Sequence, residues 1–351
     1  MKKVISLFFV ILVIITVIMG CSTPSPAPAP APTPKPDQAP PPASVKPIEM
    51  KIFNHEPPGS FLNQMFDQYI KEVEKRTDGR VKLTNYPGQT LGKLPDQWEM
   101  LKSGVGDISW VFSIFYKGVF PLSDVADLFF LLPDRSISVA NQLYEKYLYQ
   151  EWDEVKVLWP DILAPPVIHT TKKPVRTLED LKGMQLRCPP GLEANSVKAL
   201  GATPVSIPMP EVYSSLERGV VDGATISWNA VKSQKLYEII KYSTNEPLCY
   251  AFTTVSMNLN TWNNLPPDIQ KIFDELSPWA QELQHSLMDK EVEEGIARTK
   301  EKGVEFISIS PAERAKWVEA VKPVIDSWAA DMDKKGLKGT EVVDFLRKSG
   351  K

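Results

Sequence analysis

The chain has 351 residues, with 40 Lys and Arg against 43 Asp and Glu, a formal charge of −3. A mildly acidic chain lacks the basic footprint of a nucleic-acid binder, so nucleic acid is excluded as a partner. Its only histidines are His55, His169 and His285, and no CxxC pair occurs, which argues against a zinc site.

Taken in order, Lys2 and Lys3 precede an apolar run from Val4 to Ile18 broken only by Ser6 and Thr16. This reads as a secretory signal over residues 1–20 and is too short for a membrane span. Its end, Ile18-Met19-Gly20-Cys21, resembles a bacterial lipobox and implies a lipid on Cys21. Residues 21–47 are rich in Pro and Ala and cannot bury apolar surface, so they read as an extended tether holding a folded domain off a membrane. Some 300 residues then remain, enough for two lobes. There is no second apolar run, so a role in transport needs separate membrane subunits.

Glu49 to Asn54 alternates as an opening strand. Phe61, Leu62, Met65, Phe66, Tyr69, Ile70 and Val73 have helical spacing, closed by Asp78-Gly79. Arg80 to Tyr86 alternates again; Pro95 to Leu101 reads as a helix and Asp107 to Phe112 as a short buried strand. The alternation of strands and helices predicts a mostly parallel α/β lobe. A second unit follows: a capped short helix at 177–183, strand Met184 to Cys188, helix Glu193 to Leu200, strand Val205 to Ile207, helix Pro210 to Arg218 and strand Ala224 to Trp228. Thr253 to Leu259 reads as a strand returning to the first lobe. Helical periodicity runs from Pro267 to about Lys302, with Pro278 expected to kink it or cap a new segment. Pro311 to Lys335 and Thr340 to Arg347 read as closing helices. The expected division is 48–165 plus 254–290 for lobe 1 and 166–253 plus 291–351 for lobe 2. Clefts between such lobes are preferred ligand sites and suit hinge closure.

Five ordered motifs carry a family resemblance: Asp180-Leu-Lys-Gly-Met-Gln-Leu-Arg187, Ala199-Leu-Gly-Ala-Thr-Pro-Val205, Pro210-Glu-Val-Tyr213, Gly219-Val-Val-Asp-Gly223 and Tyr237-Glu-Ile-Ile-Lys-Tyr242. With Arg76-Thr-Asp-Gly-Arg-Val81 and Pro121-Leu122 upstream, nearly all of the mature chain resembles DctP-type substrate-binding proteins of TRAP transporters. The resemblance implies an α/β, two-lobed periplasmic-binding-protein-like fold with a central cleft and a long helix spanning both lobes. It implies capture of a small organic acid by lobe closure outside the cytoplasm, and delivery to TRAP permease membrane subunits. A sensing protein handing its ligand-bound form to a membrane receptor is the alternative.

The resemblance also implies that Arg187 grips the ligand carboxylate, and chemistry agrees. A guanidinium offers a planar fork of donors that matches a carboxylate and stays charged. Buried, it needs a partner: an anionic ligand, or an internal acid such as Glu193 or Asp222. Some members that bind sialic acid carry a second arginine about twenty residues upstream; here that stretch reads Pro166-Val-Ile-His169. After the Asp-Ile strand, where those members are polar, stand Trp110, Phe112 and Phe115, and Ala224-Thr-Ile-Ser-Trp228 replaces a frequent Glu-Asn-Pro. A monocarboxylate with an apolar or aromatic body therefore fits better than a sugar acid.

Trp228, Tyr213, Met209, Trp110 and Phe112 are the expected ligand contacts, each with core packing as the plain alternative. Asn54 and His55 join them because they end the first strand at its carboxyl edge. His169 joins them as a donor in place of the missing arginine. Asp222 is expected to brace its turn. Cys188 and Cys249 could pair after export, and adjacency to Arg187 could lower the Cys188 pKa. Neither a Gly-x-Ser-x-Gly elbow nor a phosphate-binding glycine loop occurs, so neither an enzyme nor a cofactor is expected. No carboxylate pair argues for a metal.

Overall fold

Alternation of buried and exposed residues in Ile48–Phe53 makes strand β1, which opens the first lobe of the computed structural model. Residues 46–132 and 134–349 are described; the leader, Cys21 and most of the tether lie outside them. Ser60 caps helix α1 (Phe61–Arg76) by accepting from the Asn63 N–H, and the helix buries Phe61, Leu62, Met65, Phe66, Tyr69 and Val73. Asp78 and Gly79, both at positive φ, turn the chain into β2 (Val81–Tyr86). Then come α2 (Gln97–Ser103), β3 (Ile108–Phe112), α3 (Ile137–Leu143) and β4 (Val155–Ile162).

The second lobe is built from β5 (Pro166–Thr170), β6 (Gln185–Arg187), α4 (Leu192–Ala199), β7 (Thr203–Val205), α5 (Val212–Glu217), β8 (Gly223–Ser227), α6 (Trp228–Ser233) and β9 (Tyr242–Thr244). The chain returns through β10 (Phe252–Asn258) and α7 (Leu259–Asn264) to α8 (Pro267–Glu301). It ends with β11 (Glu305–Ile307), α9 (Pro311–Lys334) and α10 (Gly339–Ser349). No helix among the described residues is long and apolar enough to cross a membrane.

The five-stranded sheet runs β2-β1-β3-β10-β4 and the six-stranded sheet β11-β9-β5-β8-β6-β7. The first is mixed rather than mostly parallel: β1 is parallel to β2 and β3, while the returning β10 is antiparallel to both β3 and β4. In the second, β5 alone runs against its neighbours. Both exceptions are strands by which the chain changes lobes. Because β4 passes directly into β5, the carboxyl ends of β1, β3 and β4 and those of β6, β8 and β9 lie on the edges that the crossing segments join. Ligands of open α/β sheets bind at that edge.

Helix α8 packs on α1 and β4 of one lobe and on α6 of the other, and Val292 touches the core of each. It runs unbroken through Pro278, so no new segment is capped there. Pro278 lies on the solvent face, where water can satisfy the carbonyl its missing N–H leaves free, while tertiary packing holds the rest. Val205–Ile207, read as a strand, is displaced: β7 spans Thr203–Val205, fixed by its parallel register with Gln185–Arg187.

Candidate functional site

Arg187 ends β6 with only 6% of its surface exposed. Its Nε donates to the Ile207 carbonyl at 3.0 Å. Among the described residues its two terminal nitrogens make no hydrogen bond and the side chain no ion pair. The internal acids offered as partners are otherwise occupied. The Asp222 carboxylate accepts from the Gln185 N–H at 2.8 Å and braces the turn. Glu193, in the first turn of α4, is 5% exposed and accepts from the Thr225 hydroxyl. That hydroxyl also lies 3.2 Å from the Arg187 carbonyl.

Burial pushes the Glu193 carboxyl up to about 7, against the opposing pull of the Thr225 hydrogen bond and the Arg187 charge. Burial also drives Asp127 well up, helped by the nearby charges of Asp124 and Glu193. Glu193, raised to about 7, is only a partial counter-charge to Arg187, which leaves part of that charge for an incoming anion. The linkage can be tested. A carboxyl whose folded pKa exceeds its unfolded value stabilises fully below the unfolded pKa and loses that stabilisation as pH rises through the folded one. Relative to the native protein, Glu193→Gln is therefore expected to gain stability between pH 5 and pH 8, by at most about 3 kcal/mol. Urea denaturation of both proteins at the two pH values checks this, and a constant difference contradicts it.

Cys188 does not acquire a lowered pKa from its neighbour. Burial and the Glu193 charge push its thiol up to about 12, and Arg187 only partly offsets them. Cys188 and Cys249 are both buried free thiols.

At the lobe 1 edge, the His55 ring stacks on Trp110 with centroids 5.2 Å apart and planes at 21°, and meets the edge of Phe115 at 5.5 Å. Phe112 adjoins Trp110 at 5.8 Å and Phe115 at 4.9 Å. Phe115 itself is 46% exposed, a large aromatic surface at the rim. Burial lowers His55 to about 4, so the ring is neutral at neutral pH. A cavity of about 370 Å³ is lined by Lys117 of lobe 1 and by Cys188, Pro190, Asn195 and Ser206 of lobe 2. A larger one of about 560 Å³ lies between α4 and α9 and shares Asn195 with the first; neither is lined by Arg187 or the lobe 1 aromatic residues, and we place the site at the strand edges that carry those groups.

Several predicted contacts are consumed by their own lobe. Asn54 is fully buried; its amide donates to Asn63 at 3.0 Å and its carbonyl accepts from the Glu56 N–H at 3.0 Å, tying β1 to α1. Both His169 nitrogens are taken, Nδ1 by the Ser243 hydroxyl at 2.8 Å and Nε2 by the Ile226 carbonyl at 3.0 Å, so no ring atom is left to replace an arginine. Trp228 stacks on Phe306 at 5.1 Å and donates to Asn245, so its ring belongs to the lobe 2 core. Tyr213 is half-buried at the margin of that core, with its hydroxyl donating to Glu238 at 3.3 Å. Met209 packs at the same margin, two residues beyond the carbonyl that holds Arg187. The structure thus brings His55, Trp110 and Phe112 together with Phe115 on one edge and leaves Arg187 on the other. Sequence reasoning named Glu193 only as a salt-bridge partner and missed Thr225 and Lys117; the one available signal was an acid in the helix turn after the arginine strand.

Among solved structures, a TRAP periplasmic solute-binding protein from Desulfovibrio salexigens superposes with a TM-score of 0.79 at 34% identity, covering 87% of this chain and 98% of that one; it is an open complex with the C-terminus of a symmetry mate in its ligand-binding site. A TRAP solute-binding protein from Rhodoferax ferrireducens, in complex with copurified benzoate, gives 0.75 at 26% identity over 86% and 97% of the two chains. The C4-dicarboxylate-binding periplasmic protein DctP of Rhodobacter capsulatus is 26% identical over 82% of this chain and 88% of its own. Residues 53–331 match the bacterial extracellular solute-binding proteins, family 7, named DctP, and the chain belongs to that family of substrate-binding proteins.

Proposed function

We propose that the protein is the extracytoplasmic receptor of a TRAP-type transporter and binds a monocarboxylate with an apolar or aromatic body. It passes this ligand to TRAP permease subunits while held to the membrane by a lipid on Cys21. The observation that carries the reading is Arg187: a buried guanidinium with its terminal nitrogens unclaimed and no ion-pair partner among the described residues. A ligand carboxylate gives those nitrogens two parallel charge-assisted hydrogen bonds. Across the gap, Phe112, Phe115 and the His55–Trp110 stack offer faces and edges for an apolar body. The benzoate bound by the Rhodoferax relative is an acid of this class, whereas the Rhodobacter relative is named for dicarboxylates. Trp110 and Phe112 favour the first, since a second carboxylate placed against them would lose hydration without gaining a counter-charge.

A thermal-shift screen of the purified protein against aromatic acids, branched monocarboxylates, dicarboxylates and sugar acids tests this. A ligand at 100 times its Kd adds about 2.7 kcal/mol of stability. The expected result is a clear shift with an apolar or aromatic monocarboxylate and a smaller one with dicarboxylates or sugar acids. A shift confined to sugar acids, or to a neutral or cationic compound, contradicts the reading.

A further inference from the structure

Arg187 and Glu193 are two ionisable groups enclosed side by side, one at the end of β6 and the other in the first turn of the next helix, α4. They do not bond to each other. Among the described residues each side chain makes one hydrogen bond, Arg187 to the Ile207 carbonyl and Glu193 to the Thr225 hydroxyl. Each still feels the other's charge. A ligand carboxylate on Arg187 adds a second anion to a single guanidinium. With Glu193 ionised, the enclosed set then carries a net negative charge; with Glu193 protonated, it is neutral. Enclosing an unbalanced charge is costly, so the bound state favours the protonated acid.

Thr225 is placed to serve both forms of that acid. Its hydroxyl, on β8, meets Glu193 Oε1 and lies 3.2 Å from the Arg187 carbonyl. A hydroxyl has one proton to donate and lone pairs to accept with. Ionised Glu193 accepts from it. Protonated Glu193 donates to its oxygen, and Thr225 turns its own O–H to the Arg187 carbonyl. These proton positions are assigned from the partners. Neither form leaves a buried donor unmade.

The other titratable groups around Glu193 do not compete for the proton. Cys188 of β6 and Cys249 of the segment entering β10 are thiols that burial pushes up, the first to about 12. Asp127, on the lobe 1 turn Ser123–Asp127, is already driven well up by burial and by the charges of Asp124 and Glu193. From α9, Asp331, Lys334 and Lys335 line the groove that Leu192 and Asn195 share, and none of them bonds to Glu193 among the described residues.

We infer that Glu193 takes up a proton from solvent when a ligand carboxylate binds Arg187, so that the receptor captures its acid as an anion together with one proton. Glu193 acts through Arg187 and is a positioning residue, not a ligand contact. The inference rests on the proposed function, which puts the carboxylate on Arg187.

The test is calorimetric titration of the purified protein with benzoate and phenylacetate at pH 7.5, in phosphate and in Tris. The two buffers differ in protonation enthalpy, so the difference in measured heat counts protons. With Glu193 titrating at about 7 in the free protein, uptake of about half a proton or more per ligand is expected. The bound state holds the extra proton and loses that advantage as pH rises through the free value, so affinity is expected to fall about fivefold or more from pH 6 to pH 9. Glu193→Gln mimics the protonated acid. It is expected to show no uptake and a flat pH profile, and to bind about fivefold or more tighter than the native protein at pH 9. A merely structural role for Glu193 would weaken binding at every pH. Binding by the native protein without proton uptake overturns the inference and leaves the clamp at Arg187 intact; this comparison stands even where the variant does not fold. Uptake that persists in folded Glu193→Gln also overturns it. Failure of both acids to bind removes the reading on which it rests, and the inference with it.

Discussion

Replacing Arg187 with alanine is expected to weaken binding of the acid ligand about thirtyfold or more. Removing one partner of a buried, hydrogen-bonded charge pair costs about 2–5 kcal/mol, and each factor of ten in Kd is about 1.4 kcal/mol. The effect should be large here for two reasons. The only hydrogen bond of the guanidinium among the described residues, from Nε to the Ile207 carbonyl, is made by the nitrogen that a bidentate carboxylate can leave alone. The neighbouring Glu193 is pushed up to about 7 by burial and is only a partial counter-charge. Arg187→Lys keeps the charge but loses the fork and should fall between the two. Ligand-free stability should move far less, by about 1–2 kcal/mol for one hydrogen bond and some methylene packing. Titration calorimetry on the folded variants reads this directly. Unchanged affinity in Arg187→Ala would leave the binding role standing and remove the clamp.

The second large effect is structural. Gly295 lies on α8 where that helix meets the start of α6, and a Cβ placed there would sit 2.1 Å from the Trp228 carbonyl oxygen. That oxygen is backbone and cannot swing aside, so a side chain must push α8 off α6. Overpacking costs about 1–3 kcal/mol and more where backbone must move. Gly295→Val is expected to lower stability by about 3 kcal/mol or more, and Gly295→Ala by less, measured by urea denaturation. Because α8 is packed on both lobes, a variant that stays folded should also bind ligand more weakly. Native stability in Gly295→Val would show that the approach is not rigid.

The motifs that carried the resemblance lie at the turns and strand ends of lobe 2, where a strand edge needs particular residues, and lobe 1 was legible from the spacing of α1. The stretch from residue 116 to 176 was not. Strand β4 is buried along almost its whole length, so it has no alternation to read, and it contains Pro160. A proline argues against a strand unless the strand is at an edge, and β4 is the edge of its sheet. Pro278 starts no new segment for a related reason: it lies on the exposed side of α8, where water can meet the carbonyl left without its N–H.

The candidate site was legible by position but not by orientation. Asn54 and Trp228 follow the carboxyl ends of β1 and β8, which face the gap, and His169 lies within β5 toward its far end, and each turns its polar atoms to its own lobe. Spacing along a chain places a residue at an edge; only packing decides which way it points. Glu193 and Thr225 were hidden because their meeting depends on the register of β6 with β8, which sets Arg187 beside Ala224.

The most direct test of the central claim is a crystal structure of the protein with a bound aromatic monocarboxylate such as benzoate or 3-hydroxybenzoate. The account predicts the carboxylate within hydrogen-bond distance of the terminal nitrogens of Arg187, with the ring against Phe112, Phe115 and the His55–Trp110 stack. A carboxylate held elsewhere, at Lys117 alone or in the groove between α4 and α9, would contradict it.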